Sequence, residues 1–364
     1  MHLEKAGRIF LVAITILLAG SAVAQQQPVE ESTYTARDFH FRSGEALPEL
    51  KLHYRTLGKP HRNAGGHVDN AVLILHGTGG TGAQFLTPVF ADVLFGQGQL
   101  LDTAKYFIIL PDNIGHGASS KPSDGLHAHF PAYDYDDMVA AQHLLLQDAL
   151  HVDHLRLILG TSMGCMHAWV WGETYPEYAD ALMPLACLPV QIAGRNRMVR
   201  KMAMDAIRND PGWSNGDYTK QPKGLETSLE MLFIMGSSPL HLQKQFPMRD
   251  QADTYIDKFL GARFAATDAN DFLYQFNSSR NYDPSAGLSK ITVPVMAVNS
   301  ADDFINPPEL DIMPEAIKKV PHGQFVLLPI TDQTRGHGTH TLAAIWKEYL
   351  AQLLAESGPG AGKP

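Results

Sequence analysis

Residues 157–164 read Leu-Ile-Leu-Gly-Thr-Ser-Met-Gly. An uninterrupted apolar run of this kind suits a strand covered on both faces of a largely parallel sheet. It leads straight into Gly160-Thr161-Ser162-Met163-Gly164, and residues 163–175 continue with a helical pattern. Glycines on either side of Ser162 permit a strand-to-helix turn too sharp for side chains. Such a turn presents the Ser162 hydroxyl at the first turn of the helix, beside free N–H groups and the positive dipole end. The segment therefore demands a sheet around its strand and packing partners around its helix.

The rest of the chain supplies them. Short apolar runs at 50–54, 71–76, 106–111, 155–160, 181–186, 293–299 and 325–328 read as strands, and 135–150, 163–175 and 341–356 read as helices. In the first helix Met138, Ala141, Leu145 and Ala149 repeat at helical spacing. Strand–helix alternation predicts an α/β fold, with a mostly parallel central sheet flanked by helices. Between 190 and 285 the rhythm breaks into helical patterns rich in Met, Arg, Lys and Gln. The organisation predicted is an α/β core in two segments, 36–189 and 286–356, with a helical lid, 190–285, inserted between them.

A serine nucleophile needs a base, and the base needs an orienting acid. In this arrangement the order along the chain is Ser, then acid, then His. The strand at 293–299 is followed by Ser300-Ala-Asp302-Asp303, at the carboxyl end of a strand where ligands meet α/β sheets. Asp303 is the candidate acid, with Asp302 as the alternative. His337 in Arg335-Gly-His-Gly338, between the last strand and the last helix, is the candidate base, with His340 as the alternative. Acyl chemistry also needs oxyanion donors, and the amides of Thr78, in the Gly-rich loop after residues 71–76, and of Met163 are the natural pair. That loop lacks the Lys of a phosphate-binding P-loop and does not match G-x-G-x-x-G. Residues 112–120 are expected to shape a pocket wall. His127 and His129 lack an evident third ligand, so no metal site is expected.

The amino terminus has a basic start, an apolar run over residues 9–19 and Ala22-Val-Ala24 before Gln25. This is the layout of a signal peptide over 1–24, too short to span a bilayer, and it predicts a periplasmic or secreted protein with no membrane segment after cleavage. A formal charge of −9 disfavours nonspecific nucleic-acid binding, and 45% hydrophobic against 18% charged residues reads as globular. Residues 25–35 and the tail from Ser357 are expected to be loose. Cys165 and Cys187, both in apolar stretches, are expected to be buried free thiols, with a disulfide as the alternative.

At these residues the chain resembles an α/β-hydrolase, and more narrowly the homoserine O-acetyltransferase family. The resemblance runs through His53-Tyr-Arg-Thr-Leu-Gly58, Asn70-Ala-Val-Leu-Ile-Leu-His76, Asp137-Met-Val-Ala-Ala-Gln142 and Gly160-Thr-Ser-Met-Gly-Cys-Met166. It continues through Ala206-Ile207, Asp210-Pro211-Gly-Trp213, Gly216-Asp-Tyr218 and Gly224-Leu225. It implies Ser162 as the acylated nucleophile, Asp303 as orienter, His337 as base, a lid over Ser162 and often a homodimer formed through that lid. Three positions depart from the family. Met204 stands where it carries an Arg for the substrate carboxylate, Gly338 where it has an Asp for the amine, and His76-Gly-Thr-Gly-Gly80 resembles common esterases. Unpaired buried charges are costly, so the two lost partners argue against homoserine. Export argues against it too, because acetyl-CoA is cytoplasmic. The expectation is an exported serine hydrolase acting on a small-molecule ester or thioester, with no metal or organic cofactor. The alternative is an acyl-CoA-dependent O-acyltransferase.

Overall fold

The computed structural model describes residues 28–358, so the predicted signal segment lies outside the described residues. The strands are β1 (Glu30–His40), β2 (Ala46–Leu57), β3 (Ala71–Leu75), β4 (Phe107–Pro111), β5 (Leu157–Thr161), β6 (Leu182–Leu185), β7 (Val295–Ser300) and β8 (Gly323–Leu328). They form one eight-stranded sheet in the order β1-β2-β4-β3-β5-β6-β7-β8. β1 and β2 pair antiparallel, β2 pairs antiparallel with β4, and the other neighbours are parallel. The helices are α1 (Ala91–Leu94), α2 (Tyr135–Leu144), α3 (Met163–Thr174), α4 (Gly194–Arg208), α5 (Gly224–Gly236), α6 (Pro239–Gln245), α7 (Arg249–Ala266), α8 (Ala269–Asn277), α9 (Ile312–Ala316) and α10 (Ala343–Glu356).

Alternation along the strands divides the core into two layers, as the pleat requires. Leu73, Leu75 and Ile158 pack with Met138 of α2 and Trp169 of α3, whereas Val72, Ile74, Leu157 and Leu159 pack with Phe90, Trp346 and Leu350 on the opposite face. Both faces are covered, which is why β3, β4, β5 and β7 are wholly buried. A third cluster belongs to the helices between β6 and β7: Ala203, Met204, Ile207, Leu225, Leu229, Phe272 and Phe276 pack on one another. On the outside of these helices Met198, Met202, Ile234 and Leu240 are exposed.

Three sequence expectations fail here. Residues 30–35, expected to be loose, belong to the ordered strand β1, which pairs with β2. It lies at the sheet edge with most side chains exposed, so its polar sequence carried no strand signal. Ser357, expected in a loose tail, accepts a hydrogen bond from Arg156 Nη1 at 2.9 Å. Cys165 and Cys187 are joined in a disulfide and are not free thiols. β5 and β6 are neighbours, so the first turn of α3 comes within 5.9 Å, Cα to Cα, of the residue two beyond β6. Their separation of 22 residues in sequence hid this adjacency. Closing a loop of that size stabilises by about 3 kcal/mol in the chain-entropy account.

Beneath the carboxyl ends of the strands lies a buried polar layer. His76 Nδ1 lies 2.8 Å from the Gly77 carbonyl, leaving Nε2 to accept from the Asn113 amide N–H at 3.0 Å. Asn113 Oδ1 accepts from Gln142 Nε2, and Gln142 Oε1 accepts from Trp171 Nε1. His76, His116 and His167 are fully buried. Burial holds all three imidazoles below their ordinary range of 6.5, His116 at about 3, with His76 adding to the effect on the other two.

These depressed values set a pH dependence. The folded state keeps the rings neutral while the unfolded chain protonates them near pH 6.5, so stability is lost as pH falls from there toward 3. Each such histidine contributes a slope of up to about 1.4 kcal/mol per pH unit in that window. Urea unfolding across a pH series measures the slope. His116→Gln is expected to flatten it by one histidine's share, and an unchanged slope contradicts the assignment.

Candidate active site

Ser162 occupies the turn between β5 and α3 with φ 54° and ψ −110°, a left-handed conformation rare for a residue with a Cβ. The turn is held by its neighbours. Ser162 N–H donates to the Leu185 carbonyl at 2.9 Å, and Gly164 N–H to the His76 carbonyl at 3.0 Å. A Cβ at Gly160 would come 1.9 Å from the Gly164 oxygen, and one at Gly164 would come 2.1 Å from the Leu75 oxygen. Both glycines are therefore required by backbone contact and not only by the turn.

The chain brings Asp303 and His337 to this serine. His337 Nε2 lies 2.8 Å from Ser162 Oγ, and His337 Nδ1 lies 2.8 Å from Asp303 Oδ2. Asp303 follows β7 and is buried. Its Oδ1 accepts from the Ile305 and Asn306 amides at 2.8 and 3.2 Å, and its Oδ2 also accepts from Asn306 Nδ2 at 3.0 Å. Burial pushes its carboxyl up, but His337 and these donors outweigh burial and hold it below the usual carboxylate range.

The two alternative residues take other places. Asp302 accepts from Ser300 Oγ at 2.5 Å and from the Gly336 amide at 2.9 Å, so it ties the histidine loop to the end of β7. His340 stacks edge-on to His337 with ring centres 5.1 Å apart. Burial, reinforced by His337, holds its pKa at about 3.

The loop after β3 runs directly against Ser162: a Cβ at Gly77 would lie 3.2 Å from Ser162 Cβ. Neither the Thr78 nor the Met163 amide donates to another group among the described residues. Both adjoin Ser162, Met163 as the next residue and Thr78 as the neighbour of Gly77. Residues 112–120, expected in the pocket wall, instead support this loop from behind. Asp112 Oδ1 accepts from the Gly82 amide at 2.8 Å and from Arg55 Nη1 at 2.9 Å, and Asn113 engages His76. Desolvation opposes ionisation of Asp112, but the backbone donors and Arg55 keep its pKa low.

A cavity of about 600 Å³ opens above Ser162, walled by the loop after β6, by α4 and by residues around 305–312. Its wall is chiefly apolar, with Met166, Leu188, Ile192 and Met235 among the lining residues. Met204, which sequence comparison placed in the substrate region, lies in the helices' own core and not in this wall. The cavity instead meets Arg200, one helical turn earlier and missed in the sequence reading. Basic residues are frequent along α4, so spacing alone could not single it out; its burial does.

With this geometry in place, the comparisons with known proteins are specific. The family described as alpha/beta hydrolase fold matches residues 70–337. A homoserine O-acetyltransferase of Moorella thermoacetica is 32% identical over 86% of this chain and 94% of that protein. A probable acyltransferase of Methanothermobacter thermautotrophicus is 28% identical over 85% of this chain and 93% of the relative. Among solved structures, the acetyl esterase MekB superposes with a TM-score of 0.76 at 24% identity, covering 90% of this chain and 97% of that one. The chain belongs to the α/β-hydrolase family and, within it, to the homoserine O-acetyltransferase-like enzymes.

Proposed function

We propose that the protein is an exported serine hydrolase that cleaves a small-molecule ester or thioester through an acyl-enzyme. The observation carrying this reading is His337 set between Ser162 Oγ and Asp303, 2.8 Å from each. Ser162 attacks the carbonyl carbon while His337 Nε2 takes the hydroxyl proton, and Asp303 stabilises the imidazolium. The Thr78 and Met163 amides face the developing oxyanion. As the tetrahedral intermediate collapses, the bond to the leaving alcohol or thiol breaks and His337 returns the proton to it. Water then adds to the acyl-Ser162 carbonyl, giving its proton to His337. Collapse frees the acid and restores the serine hydroxyl. Residues 190–285 act as a lid that narrows access to Ser162.

Ser162→Ala is expected to abolish fluorophosphonate labelling and to lower kcat by about 10⁶-fold, and Asp303→Asn by about 10⁴-fold. Retained labelling in the Ser162 variant overturns the assignment.

The acyltransferase names of the relatives favour a second reading, in which an alcohol accepts the acyl group from acyl-CoA. Product analysis with acetyl-CoA, homoserine and water together decides between them. Free acid is expected to dominate; O-acetylhomoserine as the main product sinks the hydrolase reading.

The Ala22-Val-Ala24 pattern and the Cys165–Cys187 disulfide support export, since disulfides persist in oxidising compartments. Exposed Met198, Met202, Ile234 and Leu240 on the lid support pairing of two copies there. Native mass analysis of the periplasmic or secreted protein tests both. Two chains, each starting at Gln25, are expected; a single chain retaining Met1 in the cytoplasm contradicts both.

A further inference from the structure

The wall of the Ser162 cavity contains a charge with no counter-charge. Arg200 is 8% exposed and makes no ion pair with a carboxylate among the described residues. Its partners are neutral: Nε donates to Asn196 Oδ1 at 2.9 Å, Nη1 donates to Ser279 Oγ at 3.2 Å, and the guanidinium lies 5.4 Å from the Phe276 ring centre. The other Arg, Lys, Asp or Glu residues lining the cavity, Arg195 and Glu309, are both exposed.

Two hydroxyls accompany it. Thr78 Oγ1, which lines the cavity, and the Tyr135 hydroxyl behind it are both buried without a well-formed hydrogen bond. The Tyr135 hydroxyl lies beside Thr78, Ser279 and Arg200, and burial, only partly opposed by Arg200, keeps it protonated and able to donate. A guanidinium shielded from water but given only neutral partners is costly, and so are orphaned hydroxyls. One oxyanion in the cavity would pair with Arg200 and the Thr78 hydroxyl, which both line it, and the guanidinium fork matches a carboxylate best.

We propose that Arg200, with the Thr78 hydroxyl, forms a subsite for a carboxylate carried by the substrate close to the carbonyl that Ser162 attacks. This deepens the serine-hydrolase reading and rests on it for the reaction, though not for the binding of the anion. Among the described residues the carboxylate lining the cavity, Glu309, is exposed and solvated, so the ligand class is a carboxylate ester without a neighbouring amine. The carboxylate belongs either to the acyl part, as in a dicarboxylic half-ester, or to the alcohol part, as in an acylated hydroxy acid.

The test uses the full-length processed protein and two matched pairs of substrates. The p-nitrophenyl half-ester of glutaric acid is compared with the corresponding glutaramide ester, and 3-acetoxypropionate with 3-acetoxypropionamide. One pair is expected to show a preference for the anion of about 10–100-fold in kcat/KM, the range of a charge-assisted hydrogen bond. The pair that shows it identifies which side carries the charge. Arg200→Gln should bring that ratio close to one, and Arg200→Lys should restore part of it. A ratio near one in both pairs for the unaltered protein, or a ratio that survives Arg200→Gln, overturns the proposal. If Arg200→Gln does not fold, competitive inhibition of the unaltered protein by glutarate but not by glutaramide gives the same decision. Failure of the serine reading looks different: neither pair is cleaved and Ser162 is not labelled. Calorimetric titration with glutarate then still decides, with binding supporting the subsite and no binding refuting it.

Discussion

The architecture depends on one close backbone contact, where the turn after β5 passes the end of β3. Gly164 approaches the Leu75 carbonyl so closely that no side chain fits, and Gly160 meets Gly164 in the same way. That contact places α3 on the sheet and forces Ser162 to a positive φ. The resulting strain is balanced by ladder-like bonds to Leu185 and His76 on both neighbouring strands. With Ser162 raised at the centre of the sheet, the loops after β3, β6, β7 and β8 all end around it. A serine, a carboxylate, a histidine and a pair of free amides are thus brought together from separate parts of the chain without any long excursion.

The surrounding polar groups divide the labour of holding this arrangement. Of the adjacent carboxylates, Asp303 is buried against the histidine ring while Asp302 anchors the backbone of the histidine loop through Gly336. Behind the β3 loop, Asp112 holds the Gly82 amide, and His76 links the Gly77 carbonyl to Asn113. The Cys165–Cys187 disulfide joins the first turn of the nucleophile helix to the loop after β6, which also walls the cavity. Asn306 links the same regions, donating to Ala186 and Asp303 at once. Such a cross-linked frame holds Ser162, His337 and Asp303 in a fixed relation.

The helices between β6 and β7 carry their own core, so they can cover the cavity without disturbing the sheet. This separation leaves their inner surface free to set specificity. Its apolar wall holds a buried guanidinium, Arg200, that pairs with no carboxylate among the described residues. The sheet and its loops thus position Ser162, while α4 forms part of the cavity wall above it.

Much of this was legible in the residues themselves. The strands covered on both faces announce themselves as unbroken apolar runs, and the glycines around Ser162 have only one economical explanation beside such a run. Ser162, Asp303 and His337 could be assigned because local sequence places each at the end of a strand or next to a helix. Other features depended on neighbours distant in sequence. β1 is polar because it lies at an edge, and it is ordered only through its pairing with β2. Cys165 and Cys187 meet because β5 and β6 are adjacent, and Arg200 is distinguished from the other basic residues of α4 only by which face packs inward. The sequence alone therefore determined the fold class and pointed to Ser162, Asp303 and His337 as candidates, since both are written in local periodicity and turn chemistry. Burial, pairing and charge compensation were decided by the tertiary structure, because they are properties of contacts between segments.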